Sequence, residues 1–119
     1  MNQKNPPHIF RVKNRADFLR IRFKGDSVAT KSVVIQFARS SAGADKISIG
    51  FTATKKIGKA NVRNRAKRRL RSAISNKFMH LKHGYDIVLI ARAGTALRTW
   101  DKLLADLDEG LKKANLLIT

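Results

Sequence analysis

Apolar and polar residues change their spacing along the chain, and these changes separate strand segments from helical ones. Residues 28–38 and 46–54 carry the β-branched and alternating apolar residues typical of strands. The small-residue turn at 40–45 lies between them, so the two segments are predicted to pair as a hairpin. Residues 85–91 are almost continuously apolar, which predicts a strand buried on both faces.

Helical spacing marks both ends of the chain. Asn14 can cap a short helix over about residues 15–23, which Gly25 would end. Thr99 can cap a last helix over about residues 100–116, in which leucines recur on one face.

The longest helical segment is predicted from about residue 60 to residue 82, with His83 and Gly84 ending it. At about 100° per residue, one arc of this helix is apolar and contains Ala66, Leu70, Ala73, Ile74, Phe78 and Leu81. The opposite arc is polar and contains Asn61, Asn64, Arg65, Arg68 and Ser72, with Arg69 and Arg71 on its shoulders. One face can therefore pack on a core while the other presents guanidinium groups and amides to a partner.

The order of elements is helix, two or three strands, helix, strand, helix (α-β-β-(β)-α-β-α). This order predicts an α+β fold, a single-domain α/β sandwich with helices packed against a mixed central sheet. No repeat or low-complexity linker interrupts the chain, so residues 1–119 are expected to form one domain. Pro6 and Pro7 break regular structure, and residues 1–8 are expected to be a flexible leader.

Charge changes the picture of the long helix. The chain carries 26 Lys and Arg against 8 Asp and Glu, a formal net charge of +18. No acid lies between Asp45 and Asp86, whereas this span holds twelve Lys or Arg, nine of them in residues 55–71. Arginine's planar fork suits phosphate, and asparagine can donate to phosphate or sugar oxygens. The pattern predicts binding to a polyanion, and above all to a nucleic acid.

Other partners and locations are less compatible with the composition. No apolar run approaches the roughly 20 residues of a membrane-spanning helix, and the basic helix lacks a bulky aromatic face for insertion into a membrane surface. The chain has no cysteine and so no disulfide framework or thiolate metal site. Its first residues lack the apolar core of a secretory signal, and a cytoplasmic location is expected.

Catalysis by the protein alone is not indicated. Metal-dependent nucleases gather carboxylates around divalent ions, whereas the acids here are scattered, and Asp106, Asp108 and Glu109 fit the solvent face of a helix. His80 and His83 could share a helix face as acid and base, or could simply complement the carboxyl end of the helix. We predict no catalytic residue and no metal site in the protein. Two functions remain open at this point: a pure RNA-binding module such as a ribosomal protein, and a nuclease that acts without RNA.

The basic stretch also has a recognisable order. Lys55-Lys56-Ile57-Gly58-Lys59-Ala60, followed by Arg63-Asn64-Arg65, Lys67-Arg68 and Arg71, closely resembles the signature of the bacterial ribonuclease P protein subunit. Further segments match the family in order and spacing: Asp17-Phe18, Gly25-Asp26-Ser27-Val28-Ala29, Ile47-Ser48-Ile49-Gly50-Phe51 and Tyr85-Asp86-Ile87-Val88-Leu89-Ile90-Ala91-Arg92.

The resemblance implies a cofactor of an RNA enzyme. In that family an RNA subunit cuts precursor tRNA at its mature 5′ end, using Mg²⁺ held mainly by the RNA. The small protein binds this RNA and the 5′ leader of the substrate, and it aids substrate and metal-ion binding. The implied partners are the ribonuclease P RNA subunit and precursor tRNA, with no membrane and no obligate protein partner. The resemblance also implies a left-handed strand–helix–strand crossover, whereas such crossovers are generally right-handed.

Residue roles follow from the motif match. The family's contact with the catalytic RNA falls on Lys55, Lys56, Lys59, Asn61, Arg63, Asn64, Arg65, Lys67, Arg68, Arg69 and Arg71. Arg63 projects towards the apolar arc, so it either reaches around the end of the helix or is structural.

The family's leader-binding cleft lies between the first helix and the sheet, where aromatic side chains stack single-stranded bases. The residues that fall there are Phe18, Arg22, Phe23, Val33, Gln36 and Phe37. Arg22, Val33 and Gln36 occupy positions that are often aromatic in the family, with Phe23 and Phe37 adjacent. Either the register shifts by one residue, or this cleft stacks less and depends more on charge.

Overall fold

The computed structural model describes residues 9–118, and within them the chain forms five strands and four α-helices. In chain order they are β1 (Ile9–Arg11), α1 (Arg15–Lys24), β2 (Asp26–Ala29), β3 (Val33–Arg39), β4 (Ile47–Thr52), α2 (Ala60–Ser75), β5 (Tyr85–Ala91), α3 (Ala93–Leu97) and α4 (Trp100–Lys113). Short 3-10 turns at Lys55–Ile57 and Phe78–His80 flank α2. The predicted flexible leader, residues 1–8, lies outside the described residues.

The five strands form one mixed sheet in the order β1-β4-β5-β3-β2. Strands β1, β4 and β5 are parallel, while β3 runs antiparallel to β5 and β2 antiparallel to β3. The predicted hairpin between residues 28–38 and 46–54 is wrong, because β5 lies between β3 and β4. The hairpin in the structure is β2–β3. Strand β5 takes the centre since its side chains are apolar towards both faces of the sheet.

The two faces of the sheet carry different layers. On one face, α2 and α4 enclose the main core, which includes Ile35 of β3, Ile87 and Leu89 of β5. On the other face, α1 covers a smaller cluster built around Ile21 and Val88. The predicted α+β sandwich with a mixed central sheet is therefore confirmed. The handedness of the β4–α2–β5 crossover stays a prediction from the resemblance.

Helix boundaries differ from the predictions mainly at carboxyl ends. Helix α2 begins at Ala60 as predicted but ends at Ser75 instead of residue 82. The apolar spacing continues through Leu81 because Leu81 is also buried, but it pairs with Leu117 in an extended bridge. Gly84 does not end the helix. It enters β5 with φ at 90°, where a Cβ would lie 2.8 Å from the Ala44 carbonyl oxygen.

The predicted amino-terminal caps have mixed outcomes. Thr99 caps α4 as predicted, accepting a hydrogen bond from the Lys102 amide at 3.4 Å, although α4 ends at Lys113 and not at residue 116. The side chain of Asn14 does not cap α1 and donates instead to the Asp17 carboxylate at 3.5 Å. No helix in the described part of the chain combines the length and the apolar character needed to cross a membrane.

Candidate nucleic-acid interface

Helix α2 separates an apolar stripe from a polar face. Its buried residues, with no exposed surface, are Ala66, Leu70, Ala73 and Ile74. The exposed residues include Asn61, Asn64, Arg65, Arg68, Arg71 and Ser72. The predicted rotation of the helix is therefore confirmed. Leucine and isoleucine hold the helix on the sheet while arginine and asparagine side chains point into solvent.

The polar face keeps its positive charge. Among residues 9–118, none of the nine Lys and Arg side chains of residues 55–71 forms an ion pair with a carboxylate. Acids pair elsewhere, as when Asp108 accepts from Lys77 at 2.8 Å and from Lys112 at 2.9 Å. The hydrogen bonds from Lys77 and then Lys112 lower the pKa of Asp108. The basic stretch is therefore a concentrated cationic surface, available to a polyanion.

The amino end of α2 adds to this surface. Lys55, Lys56 and Lys59 are exposed in the segment that leads into the helix. Gly58 turns the chain with φ at 140°, where a Cβ would lie 3.1 Å from the Cβ of Val62. A helix amino terminus carries partial positive charge, so these lysines and the helix dipole reinforce each other towards an anion.

Three members of the basic stretch also contact the protein itself. Arg69 donates to the carbonyl oxygens of Thr95 at 2.7 Å and Arg98 at 2.8 Å, which ties α2 to α3. The guanidinium of Arg71 lies 5.2 Å from the centre of the Phe51 ring. Arg63 is half-buried, and its Nε is buried without a hydrogen-bond partner among the described residues.

A cleft of about 430 Å³ lies between α1 and the sheet. It is lined by Phe18, Leu19, Arg22, Gln36, Thr52, Thr54, Val88 and Ile90. Three of the six residues predicted for a leader cleft are thus brought together here: Phe18, Arg22 and Gln36. Phe18 is the aromatic side chain among these eight, beside one arginine and several hydroxyl and amide groups.

The other three predicted residues lie elsewhere. Val33 and Phe37 are on the opposite face of β3, where Val33 is fully buried and Phe37 packs edge-on against Tyr85 at 6.4 Å between ring centres. Side chains alternate along a strand, so Gln36 faces the cleft and Phe37 cannot. Phe23 is 73% exposed and contacts the Arg22 guanidinium at 5.4 Å, outside the lining. Gln36, and not Phe37, therefore faces the cleft, and Phe18 is the aromatic residue of its lining.

The sequence reading missed Thr52 and Thr54, which line this cleft from β4 and the segment after it. A signal was present for Thr52. Ile47, Ile49 and Phe51 alternate towards the main core, which places the next residue on the α1 side of the sheet.

A second pocket of about 200 Å³ lies beside α2 and shares Phe18 with the cleft. It is lined by Arg11, Val12, Phe18, Gly50, Phe51, Lys67 and Arg71. Phe18 borders both pockets and lies over Gly50, where a Cβ would come within 2.9 Å of its ring. Three cations therefore lead from the basic helix towards the cleft. Arg11 was missed because β1 has three residues, too few to show a period.

The histidine pair considered for catalysis does not share a helix face. Helix α2 ends at Ser75, so His80 lies in the 3-10 turn that follows and His83 beyond it. Residues 9–118 contain no group of three or more His, Asp or Glu side chains arranged to hold a metal ion.

Within residues 9–118, a cationic helix face without carboxylate partners beside a partly apolar cleft is typical of the nucleic-acid-binding class of α+β domains. The family model described as Ribonuclease P matches residues 7–115 of the chain. The ribonuclease P protein component of Gluconacetobacter diazotrophicus is 43% identical over 107 residues, which cover 89% of this chain and 91% of that protein. That of Paramagnetospirillum magneticum is 40% identical over 111 residues, covering 90% and 84%.

Solved structures agree with the sequence comparison. The RNase P protein of Staphylococcus aureus superposes with a TM-score of 0.79 at 32% identity, over 90% of this chain and 96% of that chain. The RNase P protein of Thermotoga maritima gives a TM-score of 0.75 at 27% identity, over 87% and 96%. The chain belongs to the ribonuclease P protein family, and its role is that of the protein subunit of this tRNA-processing ribonuclease.

Proposed function

We propose that the protein binds the catalytic RNA of ribonuclease P through the exposed face of α2 and the lysines before it. In the same complex, the cleft between α1 and the sheet receives the 5′ leader of precursor tRNA. The observation that carries the proposal is the set of nine Lys and Arg side chains in residues 55–71, which have no carboxylate partner among the described residues.

Electrostatics supports an RNA partner for this face. Each phosphate that a cation neutralises releases condensed counter-ions, so affinity falls steeply with salt, by roughly 0.7 to 0.9 per contact in the log–log slope. Arg65 and Arg68 are exposed on α2, and neither makes a hydrogen bond or an ion pair within the described part of the chain. Their guanidinium forks are available for bidentate contacts with phosphate.

The shape of the cleft supports the leader as its occupant. A single-stranded segment needs a cationic groove for its phosphates and an aromatic side chain on which a base can stack. Phe18 provides the aromatic ring, and Arg22 provides a charge on the same wall of the cleft. Gln36, Thr52 and Thr54 offer hydrogen bonds to bases or sugars from the sheet.

Mg²⁺ belongs to the RNA in this proposal. The ion prefers a nearly octahedral set of oxygen ligands, usually including carboxylates. The proposed RNA-binding face offers ammonium, guanidinium and amide groups, and Asp106 and Asp108 already accept from Arg98 and Lys77. The residues of this face therefore do not fit a magnesium site, and no step of the reaction is assigned to a metal on the protein. A cytoplasmic location, compatible with a chain that has no cysteine, is part of the same proposal.

The test is cleavage of a 5′-labelled precursor tRNA at low millimolar Mg²⁺ with protein alone, RNA subunit alone, both, and neither. We expect inert protein and strong stimulation in the mixture. Cleavage by purified protein alone would overturn the proposal in favour of a protein nuclease. No stimulation in the mixture would leave a generic RNA-binding domain.

Binding measurements test the cleft separately. The protein–RNA complex should bind precursor tRNA more tightly than the same tRNA without its leader. Equal affinities for the two substrates would remove the leader from the proposal while leaving the RNA subunit in it.

A further inference from the structure

The corner between α3 and α4 exposes two large apolar side chains. Leu97, the last residue of α3, is 83% exposed, and Trp100, the first residue of α4, is 39% exposed. Trp100 is the only tryptophan in the chain. Neither side chain lines the cleft beside α1 or the second pocket beside α2. The proposed RNA and leader contacts therefore leave both residues without a role.

This corner borders the basic helix directly. The guanidinium of Arg69 lies over the Trp100 ring, 5.9 Å from its centre. Arg65 lies four residues before Arg69 on the same helix, about 6 Å along its axis. The indole, which is 39% exposed, therefore lies beside the helix to which the RNA backbone is assigned.

The residues around Trp100 are anchored by hydrogen bonds and an ion pair. Arg69 is locked by the Thr95 and Arg98 carbonyl oxygens, and Thr99 caps the first turn of α4. Arg98 pairs with Asp106 at 2.8 Å, which ties the link between α3 and α4 to α4 itself. A platform that is already ordered loses little conformational entropy on binding.

We propose that Trp100 is a stacking platform for an unpaired base of the RNA bound on α2. The inference rests on the proposed function, since α2 must carry the RNA. Aromatic side chains beside cationic grooves stack bases of any sequence, because every base has a π-face. The charges around Trp100 favour RNA over a protein partner. Arg69 lies over the ring and Lys102 is two residues along the chain, whereas one exposed acid, Asp101, is adjacent in sequence.

The first test uses the intrinsic fluorescence of Trp100, which no other tryptophan obscures. The protein is titrated with the ribonuclease P RNA subunit and, separately, with inorganic polyphosphate, a polyanion without bases. We expect RNA to quench the emission and to protect the indole from acrylamide, whereas polyphosphate should bind without either effect. Tight RNA binding with unchanged emission and unchanged acrylamide access would overturn the platform alone.

The second test compares Trp100→Ala and Trp100→Phe in RNA binding across salt concentrations. Trp100→Ala should weaken binding by roughly 5- to 150-fold, the range that stacking of one base supplies, and Trp100→Phe should restore most of the loss. The salt slope should stay that of the parent because no phosphate contact is removed. Thermal melting of both variants checks the fold, and Trp100→Phe keeps the proposal testable if Trp100→Ala unfolds.

Three results would contradict the platform. Parent-like affinity of a folded Trp100→Ala variant would overturn it. So would an emission change that depends on protein concentration without RNA, since that would assign the corner to a second copy of the chain. Failure of the parent protein to bind the RNA subunit, measured by anisotropy of labelled RNA, would overturn the proposed function and the platform together.

Discussion

Helices α2 and α4 are built alike on one side and differently on the other. Each buries a stripe against the same face of the sheet, through Leu70 and Ile74 in α2 and through Leu103 and Leu107 in α4. Outside this stripe, α4 carries four acids, three of which form ion pairs with neighbouring Lys or Arg side chains. Helix α2 carries no acid at all.

The difference between the two helices lies in whether their charged side chains have partners within the protein. The pairs of α4 satisfy three of its four carboxylates within the protein and contribute modestly to stability, as partly exposed pairs do. The cations of α2 have no internal carboxylate partner among the described residues, and their mutual repulsion opposes folding until an anion screens them. The buried stripes thus hold both helices in place, while the outer face of α2 is left for binding.

The largest effect should come from the feature that the helices share. Leu70→Ala and Leu107→Ala each remove a fully buried side chain and should each lower the free energy of unfolding by about 2–5 kcal/mol. Urea denaturation followed by circular dichroism measures both. Exposed Ala105→Gly in α4 is a control for backbone effects, with an expected cost of about 1 kcal/mol. Parent-like stability of Leu70→Ala would show that the rotation of α2 is wrong.

The next effect should separate the helices. The double variant Arg65→Ala/Arg68→Ala removes two exposed cations and should weaken binding to the RNA subunit on the order of 100-fold, at about 1.5 kcal/mol per charge-assisted contact. The log–log salt slope should fall by roughly 1.4 to 1.8 in total. The matched control is Lys112→Ala/Lys113→Ala on α4, which should change RNA binding little. Equal losses in the two double variants would mean that only net charge matters.

A smaller effect should come from the arginine of α2 that works internally. Arg69→Ala leaves the Thr95 and Arg98 carbonyl oxygens without their donor and should lower the free energy of unfolding by about 1–3 kcal/mol. Arg68→Ala, one residue earlier and exposed, is its matched control and should unfold like the parent. If both variants had the same stability, the tie between α2 and α3 would contribute nothing measurable.

The smallest effect should appear in the pH dependence of α4. Hydrogen bonds from Lys77 and Lys112 hold the pKa of Asp108 below its ordinary value of about 3.9, so folding is favoured when the carboxylate is charged. This contribution is fully present above about pH 4 and is lost as the pH falls through the folded-state pKa. Asp108→Asn should therefore cost about 0.2–1 kcal/mol at pH 7 and less at pH 2. A cost that does not change between these pH values would contradict the assignment.

Local patterns predicted the elements better than their arrangement. The start of α2, the cap of α4 and the buried strand β5 were all predictable because apolar spacing and capping residues act over a few positions. The strands that pair with β5 were not predictable from local patterns, since pairing joins segments far apart in the chain. The predicted hairpin paired residues 28–38 with residues 46–54 and did not consider that β5 could lie between them. The prediction that α2 extends to residue 82 was wrong because Leu81 is buried through an extended bridge to Leu117 and not through helical packing.

In the candidate site, too, features set by local geometry were predictable, and features that depend on distant segments were not. Exposure of Arg65 and Arg68 followed from helical geometry alone, whereas the internal use of Arg69 depends on α3, which the sequence reading did not predict. In the cleft, Phe18 and Gln36 were placed together, but Val33 and Phe37 were not excluded. Applying the two-residue alternation of β3 to these candidates would have excluded both.

The central position of β5 has a consequence for the order in which the protein can fold during synthesis. Without β5 the sheet consists of two separate strand pairs, β1 with β4 and β2 with β3. A chain leaving the ribosome completes both pairs, and then α2, before it makes the strand that joins them. The apolar stripe of α2 can contact β4 at that stage, but the main core also contains β5 and α4 and extends to Leu116, so it is complete only once residues 85–116 have emerged. Completion of the core is then a late event that depends on long-range contacts, which are slower to form than local ones.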